Sequence, residues 1–145
     1  MLAGAMASLA LEAKSGEPLD KPVAQWLADA SPASRKPQRL AALKGLLGIV
    51  DQDVGAIRYQ LLHRAASALL EAQRFRTPTA VMLVQAFNRQ ADEGSWKDFQ
   101  AFATLLGGQP VEGVLVCASV RTGVPLYLGW VNSQAAGEAM LAAAV

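Results

Sequence analysis

The first regular element of this chain is indicated by Leu9-Ala10-Leu11-Glu12-Ala13-Lys14, an apolar run that ends in a carboxylate and an amine two residues apart. Residues i and i+2 of a β-strand point to the same face, so the spacing predicts that Glu12 and Lys14 project side by side. A carboxylate that can hold Mg²⁺ beside an ammonium that stabilises developing negative charge suits phosphodiester cleavage. The same spacing also arises by chance in many surface strands, and that is the alternative interpretation.

The composition indicates one folded domain over residues 1–145. Hydrophobic residues make up 52% of the chain and charged residues 17%, against typical values of roughly 45–50% and 25%. These values exclude a disordered chain and favour a compact core with a buried sheet. The formal net charge is only +1, so any contact with nucleic acid must come from a local basic patch and not from a general positive field.

The cysteine content and the apolar segments predict a cytoplasmic location. Cys117 is the only cysteine, so no intramolecular disulfide can form, which suits a reducing compartment. We expect its thiol to be buried and not to act as a nucleophile. No apolar run reaches the length of about 20 residues that a membrane span needs. The opening residues 1–6 lack the basic region of a signal peptide, so we interpret them as part of the fold.

Apolar periodicity and turn residues predict the order β-α-α-α-β-α-β-β-α. The predicted strands are residues 7–14, 79–84, 113–120 and 124–131, and the predicted helices are 20–30, 37–47, 54–75, 95–106 and 133–143. The continuously apolar strand at 79–84 is typical of a strand covered on both faces, and 7–14 has the pattern of a buried strand. The last two strands are joined by a short turn as a hairpin. The fold class is therefore α/β of the α+β type, with a mixed central sheet flanked by helices, in two or three layers.

The long predicted helix over 54–75 is apolar around most of its circumference, with one narrow polar stripe. The stripe consists of Gln60, His63, Arg64, Ser67, Glu71 and Arg74. One interpretation is a solvated face with pairs of side chains four residues apart. The other is that the stripe lines a cleft beside Glu12 and Lys14. In that case Arg64, Gln60 and His63 would donate hydrogen bonds to a phosphate.

Several runs along the chain are typical of one family. They are Ala10-Leu11-Glu12-Ala13-Lys14, Glu17-Pro18, Trp26-Leu27, Arg58-Tyr59-Gln60-Leu61-Leu62-His63-Arg64, Ala80-Val81-Met82-Leu83-Val84, Phe99-Gln100-Ala101-Phe102 and Leu126-Tyr127-Leu128-Gly129-Trp130-Val131. On these runs the chain resembles an uncharacterised bacterial family, a domain of unknown function with a PD-(D/E)XK nuclease-like core. The resemblance implies a restriction-endonuclease-like half core to which a C-terminal β-hairpin and helix are added.

The resemblance also implies roles for individual residues. Glu12 would ligate Mg²⁺, Lys14 would position or activate the attacking water, and Gln60 on the following helix would assist. An Asp on the preceding strand would supply a second carboxylate. The catalytic candidates are therefore Glu12, Lys14 and Gln60, with Glu12 as the metal ligand, and nucleic acid is the implied partner. Arg64 and His63 of the polar stripe are the candidates for contact with a phosphate.

The chain departs from this family pattern in one respect, because no Asp or Glu precedes Glu12. We therefore expect a chain that is truncated at its N-terminus relative to the family, with weak Mg²⁺ binding and little or no nuclease activity. A strand at 7–14 without upstream partners predicts an exposed edge, and hence a homodimer formed through it. Whether the protein is an enzyme stays open. The alternatives are a non-catalytic interaction module of the same fold and a structural remnant.

Overall fold

The computed structural model describes residues 6–118 and 123–133, which form a mixed sheet with helices. The elements are β1 (Ala7–Lys14), α1 (Val23–Ala28), α2 (Lys36–Leu47), α3 (Tyr59–Phe75), β2 (Thr79–Ala86), α4 (Glu93–Leu105), β3 (Val116–Ala118) and β4 (Leu126–Asn132). The predicted α/β class with a mixed sheet is confirmed. The predicted final helix lies, apart from Ser133, outside the described residues.

The sheet has the strand order β1-β2-β4-β3. The first three strands in this order are parallel, and β3 runs antiparallel to β4, which confirms the predicted hairpin. β3 is shorter than the predicted strand 113–120, because the chain first makes a turn in which Gly113 has a φ of +74° and Val111 bridges to Val114. Along β1, Glu12 lies beside Val84 of β2.

One face of the sheet is covered by α3 and α4. Alternate residues of β2 face these helices and are buried, from Ala80 to Ala86. α3 packs across β1 and β2 and buries Leu62 and Leu69 against them. α4 covers β4, where the Phe99 ring lies 5.7 Å from the ring of Trp130. The core therefore lies between this face and the two helices.

The opposite face of the sheet is largely open among the described residues. Leu9 and Leu11 of β1 are exposed there, and Val81 and Leu83 of β2 are only partly covered. The prediction that these two strands are buried, the second on both faces, was therefore wrong for the described part of the chain. The reason is topological. Successive parallel crossovers of the same hand that advance in one direction across a sheet place their helices on the same face.

Two helices are shorter at their starts than the apolar pattern predicted. α1 does not begin near residue 20, because Asp20 has a φ of +60° and Pro22 forms an isolated bridge with Arg58. That bridge holds Arg58 in an extended conformation, so α3 begins at Tyr59 and not at residue 54. The loop before α3 is thereby fixed against the start of α1, and this fixes the position of the first turn of α3.

We predict that Leu69→Ala lowers the free energy of unfolding by about 2–5 kcal/mol, because it leaves a cavity between α3 and the sheet. Leu69 is fully buried, whereas its neighbour Leu70 is 47% exposed. The matched variant Leu70→Ala should change stability by about 0.5 kcal/mol or less. Urea denaturation followed by circular dichroism measures both values. Equal losses in the two variants would contradict the rotation of α3 described here.

Candidate functional site

Glu12 and Lys14 lie side by side near the end of β1, as their spacing predicts. Both side chains face α3 and are buried, with exposed fractions of 8% for Glu12 and 4% for Lys14. Lys14 Nζ lies 3.3 Å from Glu12 Oε1. On the other side of the carboxylate, Arg64 Nε donates a hydrogen bond of 2.7 Å to Glu12 Oε2. Each carboxylate oxygen therefore faces a cation.

Lys14 is held by two further acceptors. Its Nζ donates to Gln60 Oε1 at 3.0 Å and to the carbonyl oxygen of Pro18 at 3.1 Å. The Lys14 ammonium therefore has two hydrogen-bond acceptors and, in Glu12, an ion-pair partner. Gln60 and Arg64 are four residues apart on α3 and therefore lie on the same side of the helix. We call Glu12, Lys14, Gln60 and Arg64 the Glu12 cluster.

The Glu12 cluster carries a net charge of +1, since one carboxylate faces one ammonium and one guanidinium. Buried charges of opposite sign stabilise one another, and the uncompensated positive charge favours an anion at the site. Arg64 is the charged member that solvent reaches, because 41% of its side chain is exposed whereas Glu12 and Lys14 are buried. Among the described residues, no acceptor takes a hydrogen bond from its terminal nitrogens. An anion would therefore meet Arg64 first.

His63 lies outside the Glu12 cluster. Consecutive residues of an α-helix are separated by about 100° around its axis, so His63 points away from the side of α3 that carries Arg64. Its ring is exposed and stacks on Tyr59 at 5.9 Å, and Tyr59 in turn stacks on Trp26 at 4.0 Å. The polar stripe is therefore divided: Gln60 and Arg64 face Glu12 and Lys14.

The remainder of the stripe has the features of a solvated helix face. Ser67 donates a hydrogen bond to the carbonyl oxygen of His63, four residues earlier on the same helix. Glu71 and Arg74 form an exposed ion pair of 3.8 Å. Gln60 and Arg64 therefore lie beside Glu12 and Lys14, as one interpretation of the stripe expects. Ser67, Glu71 and Arg74 form the solvated face that the other interpretation expects.

The donor set of the Glu12 cluster does not fit a resident Mg²⁺. Magnesium sites in proteins usually combine one or two carboxylates with water and substrate phosphates. Here Glu12 is the one carboxylate of the cluster, and both of its oxygens are already paired with cations. Within residues 6–118 and 123–133, no three His, Cys, Asp or Glu side chains come together in a way that could hold a metal ion.

Asp92 is a buried carboxylate that the sequence did not indicate. It lies directly before α4, where its Oδ1 accepts a hydrogen bond of 2.6 Å from the backbone N–H of Gly16. Its Oδ2 accepts one of 3.1 Å from the N–H of Asn88. Asp92 therefore joins the turn after β1 to the loop after β2. The one signal in the sequence is an acidic residue just before a helix, a position where Asp commonly caps the helix.

A cavity of about 350 Å³ opens beside this turn. Gly16 and Pro18 form one wall, so the cavity adjoins the carbonyl group that holds Lys14. Arg58 and Lys97 also line it. The Arg58 guanidinium is paired with Asp98 at 2.8 Å. Two further cations therefore lie on the side of the turn that faces α4, and each is paired with a carboxylate, Arg58 with Asp98 and Lys97 with Glu93.

Two other expectations concern the surface of the molecule. Cys117 is exposed on β3, so the prediction of a buried thiol was wrong, because the residue faces the open side of the sheet. Of the helices that the structure describes, none combines the length and the apolar character needed to cross a bilayer.

The described residues define an α/β domain with a mixed sheet, in which a Glu-Lys-Gln-Arg cluster lies between the edge strand and the longest helix. Residues 2–135 match the model of the family described as a domain of unknown function, DUF6946, and the chain belongs to this family. No curated protein matches the chain, and no solved structure matches it either.

We predict that Asp92→Ala lowers the free energy of unfolding by roughly 2–4 kcal/mol, since it removes the two hydrogen bonds that this buried carboxylate accepts and with them the link between the two loops. The neighbouring acid Glu93 is exposed, so Glu93→Ala should change stability by about 0.5 kcal/mol or less. Urea denaturation of the two variants tests this. A loss for Asp92→Ala as small as that for Glu93→Ala would contradict the role of Asp92 in joining the two loops.

Proposed function

We propose that this domain has a PD-(D/E)XK-like half core and binds a phosphate group of nucleic acid at the Glu12 cluster, with weak or no hydrolysis. The single observation that carries the proposal is the convergence of Glu12, Lys14, Gln60 and Arg64 into one cluster of net charge +1. A cytoplasmic location, which the single cysteine favours, would bring the domain into contact with nucleic acid.

The chemistry of Arg64 supports a phosphate as the ligand. A guanidinium presents several N–H donors in a planar fork that matches the oxygens of a phosphate, and charge-assisted hydrogen bonds of this kind are the stronger ones. Arg64 is partly exposed and is held in place by Glu12, so little side-chain freedom is lost when a ligand binds. The overall charge of the chain is only +1, so the attraction for a phosphate comes from the local positive charge of the Glu12 cluster.

The neighbouring cavity supports a ligand longer than a single phosphate. Arg58 and Lys97 line the cavity beside Pro18, and the carbonyl group of Pro18 is also an acceptor for Lys14. A polynucleotide whose one phosphate lies at Arg64 could therefore place a further phosphate near these cations. Contacts of this kind give affinity without reading the base sequence, and they weaken as salt rises.

Weak hydrolysis follows from the same geometry. The pairing of Glu12 with two cations opposes the binding of Mg²⁺, and the cluster lacks a second carboxylate. Lys14 is buried, with two hydrogen bonds and an ion pair to Glu12, so an attacking water has little access to its ammonium. Glu12, Lys14 and Gln60 therefore serve here to hold Arg64 and the surrounding loop in place, and any activity that depends on Mg²⁺ should be low.

We predict that Arg64→Ala weakens the binding of fluorescein-labelled oligonucleotides about tenfold, because it removes the accessible cation of the cluster. Fluorescence anisotropy measures the affinity for single-stranded DNA, duplex DNA and RNA in turn. Arg74→Ala is the matched control on the same helix. Arg74 is 73% exposed and forms an ion pair of its own, and its removal should change the affinity by about twofold or less.

Two results would contradict this proposal. If none of the three oligonucleotides binds the wild-type protein at low salt, nucleic acid is not the ligand. If Mg²⁺ supports cleavage of an oligonucleotide and Lys14→Ala abolishes that cleavage, the domain is an active nuclease and the low-activity part of the proposal is wrong.

A non-catalytic interaction module is the second candidate, and the edge of β1 favours it. Within residues 6–118 and 123–133, no strand pairs with the outer edge of β1. Leu9 and Leu11 are exposed next to that edge. Exposed edges that carry apolar side chains recruit further strands. The partner that fits best is a second copy of the chain, since two β1 edges can pair antiparallel about a twofold axis and join the sheets.

We predict that the protein is a dimer and that Leu11→Lys makes it monomeric, because a charged side chain at a strand edge opposes pairing. Leu70 has the same exposed fraction as Leu11, 47% in both cases, but lies on α3. Leu70→Lys should therefore leave the dimer intact. Size-exclusion chromatography with light scattering gives the mass of each variant. A wild-type protein that is monomeric across the micromolar range would contradict dimerisation through β1.

A further inference from the structure

We infer that the Arg64 guanidinium takes the place of a divalent cation at this site, bridging the Glu12 carboxylate to the phosphate of the ligand. The inference rests on the proposed function, because it concerns how the same cluster holds a phosphate. It goes further in one respect: binding of the nucleic acid is then independent of metal ions. The argument depends on which atoms of the cluster are engaged and which are accessible.

The position of Arg64 on Glu12 is the first observation. Arg64 Nε lies 2.7 Å from Glu12 Oε2, which is shorter than the 3.3 Å between Lys14 Nζ and Glu12 Oε1. Arg64 therefore makes the closer of the two ion pairs. A metal ion bound to Oε2 would have to displace this guanidinium. It would also lie close to the ammonium of Lys14, whose positive charge repels a cation.

The donors that remain on Arg64 are the second observation. A guanidinium has five N–H groups, and Arg64 directs its single Nε–H to Glu12. The four N–H groups on its two terminal nitrogens have no acceptor among the described residues. With 41% of the side chain exposed, a phosphate can approach these groups while the contact with Glu12 persists. One group then touches a carboxylate and a phosphate at once, as a bridging metal ion does.

The engagement of Lys14 excludes it as the bridging cation. Its ammonium donates to Gln60 and Pro18 and forms an ion pair with Glu12, and its side chain is 4% exposed. A phosphate could reach this buried ammonium only by displacing one of these partners. Lys14 instead holds the Glu12 carboxylate in place through their ion pair, and the carboxylate in turn holds Arg64. Lys14 is therefore a positioning residue and Arg64 is the ligand-binding one.

The test compares binding with and without metal ions, using the same labelled oligonucleotides. We expect the affinity of the wild-type protein in EDTA to equal that in Mg²⁺ within about twofold, once the two buffers are matched in ionic strength. A requirement for Mg²⁺ would overturn the inference and leave the proposed function standing. Failure to bind in either buffer would instead overturn the proposed function.

A direct metal titration tests the place of Arg64 even when no oligonucleotide binds. Mn²⁺ alone is the probe, and its binding is followed by electron paramagnetic resonance or by calorimetry. We expect Arg64→Ala to bind Mn²⁺ at least about fivefold more tightly than the wild type, because Oε2 of Glu12 becomes available. Arg74→Ala should behave as the wild type. Equal Mn²⁺ affinities for Arg64→Ala and the wild type would overturn the inference.

A second variant protects the test against loss of folding. Arg64→Gln retains an N–H donor for Glu12 but removes the positive charge, so it should also bind Mn²⁺ more tightly than the wild type. Thermal denaturation shows whether each variant is folded before its affinity is compared. If Arg64→Ala does not fold, Arg64→Gln is compared with the wild type instead. Equal Mn²⁺ affinities of these two proteins would then overturn the inference.

Discussion

The ion pair between Glu12 and Arg64 joins the edge strand of the sheet to its longest helix, and the local structure depends on it. β1 is the last strand on its side of the described sheet, and its inner face ends in two charged residues, Glu12 and Lys14. These residues can be buried only if each finds a partner of opposite charge or a hydrogen-bond acceptor. Arg64 and Gln60 on α3 supply both. The same contacts fix the rotation of α3 and, through Pro18, the turn that follows β1.

This pairing also determines the chemistry that is available. A carboxylate shared by two cations is a poor ligand for a metal ion, but it is a good anchor for a guanidinium. The residue types that resemble a metal-dependent nuclease therefore form a cluster that favours an anion. The metal-dependent site and the observed cluster differ at one side chain, Arg64. Its guanidinium is paired with the Glu12 oxygen that a metal ion would need. The inferred function thus depends on a contact that no spacing of residues within one strand indicates.

The sequence predicted those features that depend on local periodicity. Alternation along β1 placed Glu12 and Lys14 on one face, and helical spacing placed Gln60 and Arg64 together. It did not predict that one sheet face stays open among the described residues, since Leu11 and Leu83 have the same apolar character whether or not a helix covers them. Asp92 was missed for a related reason. Its partners are two backbone N–H groups, from Gly16 and Asn88, and backbone groups leave no pattern in a sequence.

The measurement that tests the account most directly is the nuclear magnetic resonance of the arginine side chains during titration with an oligonucleotide in EDTA. The account predicts that the Nε–H signal of Arg64 persists throughout, since Glu12 protects it from exchange with water. Its terminal N–H signals should shift as the phosphate binds. An Nε–H signal of Arg64 that exchanges as fast as that of exposed Arg74 would contradict the account. Terminal signals of Arg64 that do not move while the oligonucleotide binds would contradict it as well.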